Sequence, residues 1–258
     1  MPSTAVIFVG PAASGKSALT KAYSEWLFRN GYSVAIINLD PAVKRLPYKA
    51  SIDVRTLVRA EELMEREGLG PNGALIHALE IVTGGLGEFL KPLSNELRAT
   101  DYVLIDTPGQ MEVFLTRDIS TVLASELGRL CGSVVALFVV DASFVGRPSD
   151  YAFTLLLAIA TQLRMGVVTV PVLNKVDLVS GEALSKFTGD LISEYGTLAK
   201  LLGGEGSTYS EMLEEVLRAI INYCKAAAVP KVSARTGEGL SDLHRLVLEV
   251  RCGCGDLT

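Results

Sequence analysis

The stretch that most constrains this chain is Gly10-Pro11-Ala12-Ala13-Ser14-Gly15-Lys16-Ser17, which satisfies G-x-x-x-x-G-K-[ST] at every required position. Its flanks matter as much as the pattern. Residues 5–9 form a short apolar run that reads as a buried strand. Residues 17–28 carry Leu19, Tyr23, Trp26 and Leu27 at helical spacing. A strand, a glycine-bearing turn and a helix in that order make an anion cradle. Glycine lets the backbone N–H groups curl toward phosphate, and the helix N-terminus adds partial positive charge. Gly10, Ala12, Ala13, Ser14, Gly15 and Ala18 are expected to line the cradle. Lys16 is expected to reach the β- and γ-phosphates, and Ser17 to ligate Mg²⁺.

The same alternation continues along the chain. Residues 33–39, 102–105, 133–140, 167–173 and 229–232 are short, Val- and Ile-rich and nearly continuous in apolar character. Parallel strands covered on both faces read this way. Helical stretches between them make βαβ units with right-handed crossovers. The expected class is α/β: a three-layer P-loop NTPase fold with a mostly parallel central sheet. Ligands of such sheets sit beyond the carboxyl ends of the strands.

At 258 residues and 49% hydrophobic content, the chain can bury one large core. We read it as a single domain with helical insertions at about 41–100 and 181–228. The first contains predicted helices near 56–67, 73–83 and 86–98, and the second near 182–202 and 209–226. Gly203-Gly204-Glu205-Gly206 breaks the second insertion. No apolar run reaches the roughly 18 residues of a membrane span, and Met1-Pro2-Ser3-Thr4 leads straight into a strand. The expected location is cytoplasmic, with no membrane partner. Net charge is −5, with Lys and Arg scattered, which argues against nucleic acid as the main partner.

Cys131, Cys224, Cys252 and Cys254 form no C-x-x-C pair, and a disulfide framework is not expected in a cytosolic chain. His77 and His244 are the two histidines, far apart in sequence, so a histidine-built metal site is not expected. Gln110 and Gln162 are the sole glutamines. Such depletion of thermolabile amides is a feature of proteins that work hot.

Three further motifs fall at predicted strand ends. Asp106-Thr107-Pro108-Gly109-Gln110 follows the strand ending at Ile105. Asp106 suits the Mg²⁺-side carboxylate, acting through water. Gly109 permits backbone approach to the γ-phosphate, and Gln110 stands where Ras-like GTPases keep the glutamine that orients the attacking water. Asn174-Lys175-Val176-Asp177 follows the strand ending at Leu173 and matches the N-K-x-D base-specificity element. Asp177 would accept from guanine N1–H and N2–H₂, where adenine would leave a buried carboxylate unpaired. Asn174 would support the loop and approach the base edge, and Lys175 would lay its stem across the base. Ser233-Ala234-Arg235 follows the last predicted strand and is similar to the S-A-[KR] element whose backbone meets guanine O6. Asp40, within Asn38-Leu39-Asp40-Pro41-Ala42, places a carboxylate near the nucleotide as base, water holder or Mg²⁺-side group. Asp53 is a second candidate, with a helix N-cap as its alternative reading.

Gly70-Pro71-Asn72 lies between two predicted helices of the first insertion. With the motifs above and the Leu39-Asp40-Pro41-Ala42 signature, the chain resembles an archaeal member of the GPN-loop GTPases, in the SIMIBI branch of P-loop GTPases. The resemblance runs from Gly10 to Arg235. It implies a homodimer or heterodimer in which the Gly70-Pro71-Asn72 loop projects toward phosphates bound by the partner. It also implies GTP as substrate, Mg²⁺ as cofactor and a protein client. Eukaryotic relatives act in RNA polymerase assembly and nuclear import, a role that does not transfer simply to an organism without a nucleus. SIMIBI ATPases carry a further signature lysine early in the loop, where this chain has Pro11, Ala12 and Ala13.

The expected activity is a GTP-hydrolysing switch. Lys16, Asp40, Asn72 and Gln110 carry the chemistry, and Ser17, Asp40 and Asp106 stand on the metal side. Arg45, Arg55 and Arg117 remain open as arginine fingers. Two other readings stay open: a nucleotide or nucleic-acid 5′-hydroxyl kinase on a similar core, and a nucleotide-dependent scaffold with negligible turnover.

Overall fold

The computed structural model describes residues 3–96, 100–144, 148–180, 215–216, 218–219 and 229–253. Among them, strands β1 (Thr4–Val9), β2 (Val34–Asn38), β3 (Ile52–Asp53), β4 (Tyr102–Asp106), β5 (Ser133–Asp141) and β6 (Thr169–Asn174) form one sheet. Its order is β3-β2-β4-β1-β5-β6, and every pairing is parallel. Helices α1 (Lys16–Arg29), α2 (Ala60–Glu67), α3 (Pro71–Glu96), α4 (Met111–Thr116), α5 (Ile119–Leu130), α6 (Pro148–Met165) and α7 (Leu240–Gly253) accompany it, with 3-10 turns at Val54–Thr56, Ala142–Phe144 and Val176–Leu178.

The two-residue period of the strands divides the core. Ala5, Ile7 and Val9 of β1, with Val103 and Ile105 of β4, face the side covered by α2 to α6. Val6 and Phe8, with Tyr102 and Leu104, face α1 and α7. All are buried, as in a sheet sandwiched between helical layers. On α1, Leu19, Tyr23 and Leu27 are fully buried at i, i+4 and i+8, and each large apolar side chain so buried stabilises by about 1.5–3 kcal/mol.

Three expectations need correction. The helices predicted at 73–83 and 86–98 are one helix, α3. Gly84 and Gly85 each cost about 1 kcal/mol relative to Ala, but Leu79, Val82, Leu86 and Leu90 are buried on both sides of them, and that packing outweighs propensity. The helix predicted at 56–67 is a 3-10 turn at Val54–Thr56 followed by α2. The strand predicted at 229–232 is reduced to one parallel bridge, Leu173 to Lys231. The Leu173 N–H donates to the Pro230 carbonyl at 3.0 Å and the Val232 N–H to the Leu173 carbonyl at 2.7 Å, and Pro230 has no N–H to extend the ladder.

The segment Pro71–Pro92 is long and apolar enough to cross a membrane by length and composition. One face of it packs into the core. Leu75, Ala78, Leu79 and Val82 are buried in the main cluster, and α3 lies against α2 and α5. The helices predicted at 182–202 and 209–226, the break at Gly203–Gly206, Cys224 and Cys254 lie outside the described residues, apart from helical turns at 215–216 and 218–219.

Candidate active site

The parallel register brings the strand ends into line. Asn38 at the end of β2 pairs with Asp106 on one side and Asp53 on the other. Asp106 pairs across β1 with Phe8, and Asp141 at the end of β5 pairs with Asn174. The carboxyl edge therefore surrounds the turn between β1 and α1, the position expected for a ligand of a doubly wound sheet.

That turn is held by conformation and by its neighbours. Gly10 has φ 147, and a Cβ there would strike the Val139 carbonyl of β5. Gly15 has φ 90, and a Cβ would lie 2.5 Å from the Asn174 amide nitrogen. Glycine is thus required twice, for left-handed backbone and for close approach. Ala13 also takes a left-handed φ of 62, and such strain in a non-glycine residue is characteristic of functional turns. Gly109 differs: a Cβ there would make only ordinary contact with Ala12, at 3.8 Å.

Lys16 is buried at the start of α1, its Nζ donating to the Gly10 carbonyl at 2.8 Å and the Pro11 carbonyl at 3.0 Å. Burial lowers its pKa, opposed by the charges of Asp106, Asp40 and Glu112. The carboxylates respond inversely. Burial raises the pKa of Asp106, against hydrogen bonds from Tyr48 and Ser17 and the charge of Lys16. Burial likewise raises Asp40, against backbone N–H groups of Ala42, Gly109 and Val43 and the charge of Lys16. Asp40 thus sits between Lys16 and the loop that carries Gln110, with Ala42 donating at 2.9 Å. Gln110 is half-buried at the N-terminus of α4.

Two buried oxygens in this group lack a protein partner, Ser14 Oγ and Asp106 Oδ1. A buried acceptor left unpaired is costly. The Asp106 carboxylate and the Ser17 hydroxyl that bonds it are an all-oxygen pair that suits Mg²⁺, which prefers one or two protein oxygens, phosphate oxygens and water. The described residues hold no cluster of three or more His, Cys, Asp or Glu able to grip a metal alone.

The opposite side of the turn is built around Asn174. It is fully buried, donates to the Ser14 carbonyl at 3.0 Å and accepts from the Ala234 N–H at 3.1 Å. It therefore ties the turn between β1 and α1 to the loop that carries Ala234. Lys175, at φ 64, donates to the Ala13 carbonyl at 2.7 Å and to Asp141 at 2.6 Å. Asp177 is an exposed residue whose carboxylate is sheltered, and it accepts from Ser233 Oγ at 2.6 Å, with Arg235 at 4.0 Å. Phosphate turn, base element and Ser233-Ala234-Arg235 are thereby brought together.

Asp53 resolves to its structural reading. It accepts from the Arg55 N–H as N-cap of the 3-10 turn and pairs with the Arg55 guanidinium at 2.6 Å. Burial pushes its carboxyl up, but Arg55 and Asn38 outweigh this and hold it below the usual range. Arg55 also donates to the Val43 and Lys44 carbonyls, so its guanidinium is committed. Arg117 pairs with Glu80 at 3.7 Å. Gly70, Pro71 and Asn72 are exposed, and Pro71 and Asn72 open α3 rather than forming a free interhelical loop. Proline suits a first helical position, where its missing N–H costs nothing.

Sequence reasoning missed Asp141 and Tyr48. Asp141 ends β5, and the rule that picked Asp106 from a strand end could have found it. Burial opposes its charge, but Lys175 and Ser143 hold its carboxyl below the usual range. Tyr48, which donates to Asp106 at 2.6 Å from the β2–β3 segment, lies in no recognisable pattern.

A family model described as a conserved hypothetical ATP binding protein matches residues 8–252. GPN-loop GTPase PAB0955 of Pyrococcus abyssi is 38% identical over 253 residues, covering 98% of this chain and 99% of its own length. GPN-loop GTPase 2 of Danio rerio is 31% identical over 257 residues, covering 97% of this chain and 82% of its own length. The crystal structure of the Pyrococcus abyssi GTPase superposes with a TM-score of 0.81 at 37% identity, covering 97% of this chain and 98% of that one.

Gly15→Ala combines left-handed backbone with a Cβ driven into the Asn174 amide. Left-handed strain alone is worth roughly 1–2 kcal/mol, so GTP affinity by calorimetry should fall by about tenfold or more. Gly109→Ala, which meets only ordinary contact, should bind within about threefold of the parent by the same contact argument.

Proposed function

Because this chain belongs to the GPN-loop GTPase family, we propose that it works as a homodimeric switch whose two sites are completed by the partner's Gly70-Pro71-Asn72 turn. GTPase activity is the family's activity and is taken here as the chain's own. The dimer, the residue roles and service to a protein client are our reading. The observation that carries it is the convergence at one sheet edge of the phosphate turn, the carboxylates Asp40 and Asp106, and Asn174-Lys175-Val176-Asp177.

The matching family model is described by ATP, but the base element favours guanine. An ionised carboxylate only accepts hydrogen bonds. Asp177, fixed by Ser233, can meet two guanine N–H donors, whereas adenine presents none there. A site built for hydrogen bonds rejects the analogue that lacks them by orders of magnitude. The same element argues against a kinase reading, which needs no guanine recognition.

At the phosphate end Lys16 is preorganised. Its bonds to the Gly10 and Pro11 carbonyls hold the ammonium along the turn, where phosphate oxygens can replace those acceptors. Backbone N–H groups from Ala13 to Ala18 spread the remaining negative charge. Ser17 and Asp106 would hold Mg²⁺. When bound, that ion withdraws charge from the β- and γ-phosphate oxygens. Asp40 has a carboxyl raised by burial and faces Gly109 and Lys16. It is placed to hold a proton or orient water, and Gln110 at the start of α4 shares that task. Asn72 offers an uncharged donor and acceptor from an exposed, proline-fixed turn. Exposure at a helix start suits delivery to a neighbouring subunit. By the family resemblance the client is a protein in complex assembly.

Guanine selection is tested at Asp177. Asp177→Asn should weaken GTP binding and favour xanthosine triphosphate, whose C2 oxygen accepts from the amide. Equal GTP binding by variant and parent would remove the base-site assignment.

Sharing of the site is tested by mixing Asn72→Ala and Gln110→Ala subunits. Each variant alone should lose about ten- to ten-thousandfold in turnover, the range for positioning and acid–base groups. In trans, each mixed dimer carries one intact site and one doubly defective site, so turnover partly recovers. No recovery, with subunit exchange verified, would place the Asn72 turn in its own site.

A further inference from the structure

The segment between β2 and β3 is fastened at successive points. Asp40 accepts from Ala42 at 2.9 Å, Arg55 holds the Val43 and Lys44 carbonyls at 3.2 Å, and Ser51 bonds Ile36 of β2 through its backbone N–H at 2.7 Å. These bonds tie the segment to its own neighbours. Tyr48 differs: its hydroxyl crosses to β4 and donates to Asp106 Oδ2 at 2.6 Å. The Tyr48 ring packs, partly buried, against the cluster under α1. Its hydroxyl is therefore delivered by a supported ring.

A carboxylate has two oxygens and about four lone-pair sites. Tyr48 occupies Oδ2, whereas Oδ1 is buried and unpartnered. Ser17 also bonds this carboxylate, so a bond that fixes Oδ2 fixes how the other oxygen stands toward the Ser17 side of the site. A phenol, with an ordinary pKa of about 10, keeps its proton at neutral pH and is the donor. A short O–H···O⁻ bond of this kind is among the stronger hydrogen bonds in proteins.

We propose that Tyr48 is the positioning residue for the Mg²⁺-side carboxylate, orienting Asp106 through Oδ2 so that Oδ1 is presented to metal-bound water. This rests on the reading of Asp106 and Ser17 as the Mg²⁺ side of the site. Partners of this sort, which touch a ligand-holding carboxylate rather than the ion, typically carry about ten- to a hundredfold in metal affinity. The same bond couples the β2–β3 segment, and Asp40 at its start, to the metal.

The test is a Mg²⁺ titration of GDP binding by calorimetry, paired with Mg²⁺ dependence of GTP hydrolysis, on the parent, Tyr48→Phe and Asp106→Asn. Phenylalanine keeps the packed ring and removes only the hydroxyl. Tyr48→Phe should raise the Mg²⁺ concentration for half effect by about tenfold in both assays. GDP affinity measured in excess chelator should stay at the parent value, and the loss in hydrolysis should be overcome by added Mg²⁺. A merely structural role would lower GDP affinity with and without Mg²⁺ alike, and would overturn the proposal. If Asp106→Asn shifts the Mg²⁺ dependence and Tyr48→Phe does not, Tyr48 has no such role while the metal side stands. If Asp106→Asn leaves the Mg²⁺ dependence unchanged, the metal side itself is misassigned and the proposal falls with it. Should Asp106→Asn fail to fold, the comparison of Tyr48→Phe with the parent still decides for or against Tyr48.

Discussion

The buried amide of Asn174 donates to the Ser14 carbonyl at 3.0 Å and accepts from the Ala234 N–H at 3.1 Å. No other described side chain bonds both the phosphate turn and the Ser233-Ala234-Arg235 element. Both partners are backbone groups, so the geometry of two loops passes through one planar group. Loss of either bond strands a buried backbone donor or acceptor, at a cost of about 1–3 kcal/mol. Gly15 is glycine partly because the amide stands where its Cβ would be. Lys175 adds a second tie, to Ala13 and Asp141. Base recognition and phosphate binding are on this account one mechanical unit.

The other half of the site is governed by electrostatics. Asp40 and Asp106 are both raised by burial, and both lean on the charge of Lys16, itself lowered by burial. The three are poised so that a triphosphate with its cation could rebalance them, since charge in a desolvated site acts far more strongly than in water. The Asp53–Arg55–Asn38 network stands next to them and is internally neutralised. It supports the β2–β3 segment instead of facing phosphate. Neighbouring carboxylates at neighbouring strand ends thus take different parts because one has its own guanidinium and the others have not.

The sheet was legible in the chain because parallel strands buried on both faces are written as short Val- and Ile-rich runs, and the phosphate turn because its glycines answer to a geometric need. Element breaks were less legible. Gly84-Gly85 looked like the end of a helix, yet Leu79, Val82, Leu86 and Leu90 carry α3 through it. Conversely, 229–232 looked like a strand, and Pro230 limits it to a bridge. Asp53 could be read two ways until Arg55 was seen against it. Tyr48 had no local signature, since its role arises from a contact 58 residues away in the chain. Local pattern reveals groups set by backbone conformation, whereas partners chosen by tertiary approach have to be seen.

The most direct test of the unit built on Asn174 is amide hydrogen exchange on Asn174→Asp, which keeps the size and the acceptor but removes the donor to Ser14. Exchange should accelerate together at residues 13–18 and 233–237, with GTP affinity at least about tenfold weaker, the equivalent of one lost buried bond. Acceleration confined to residues 174–178, with GTP affinity unchanged, would show that the loops are held independently and would contradict the account.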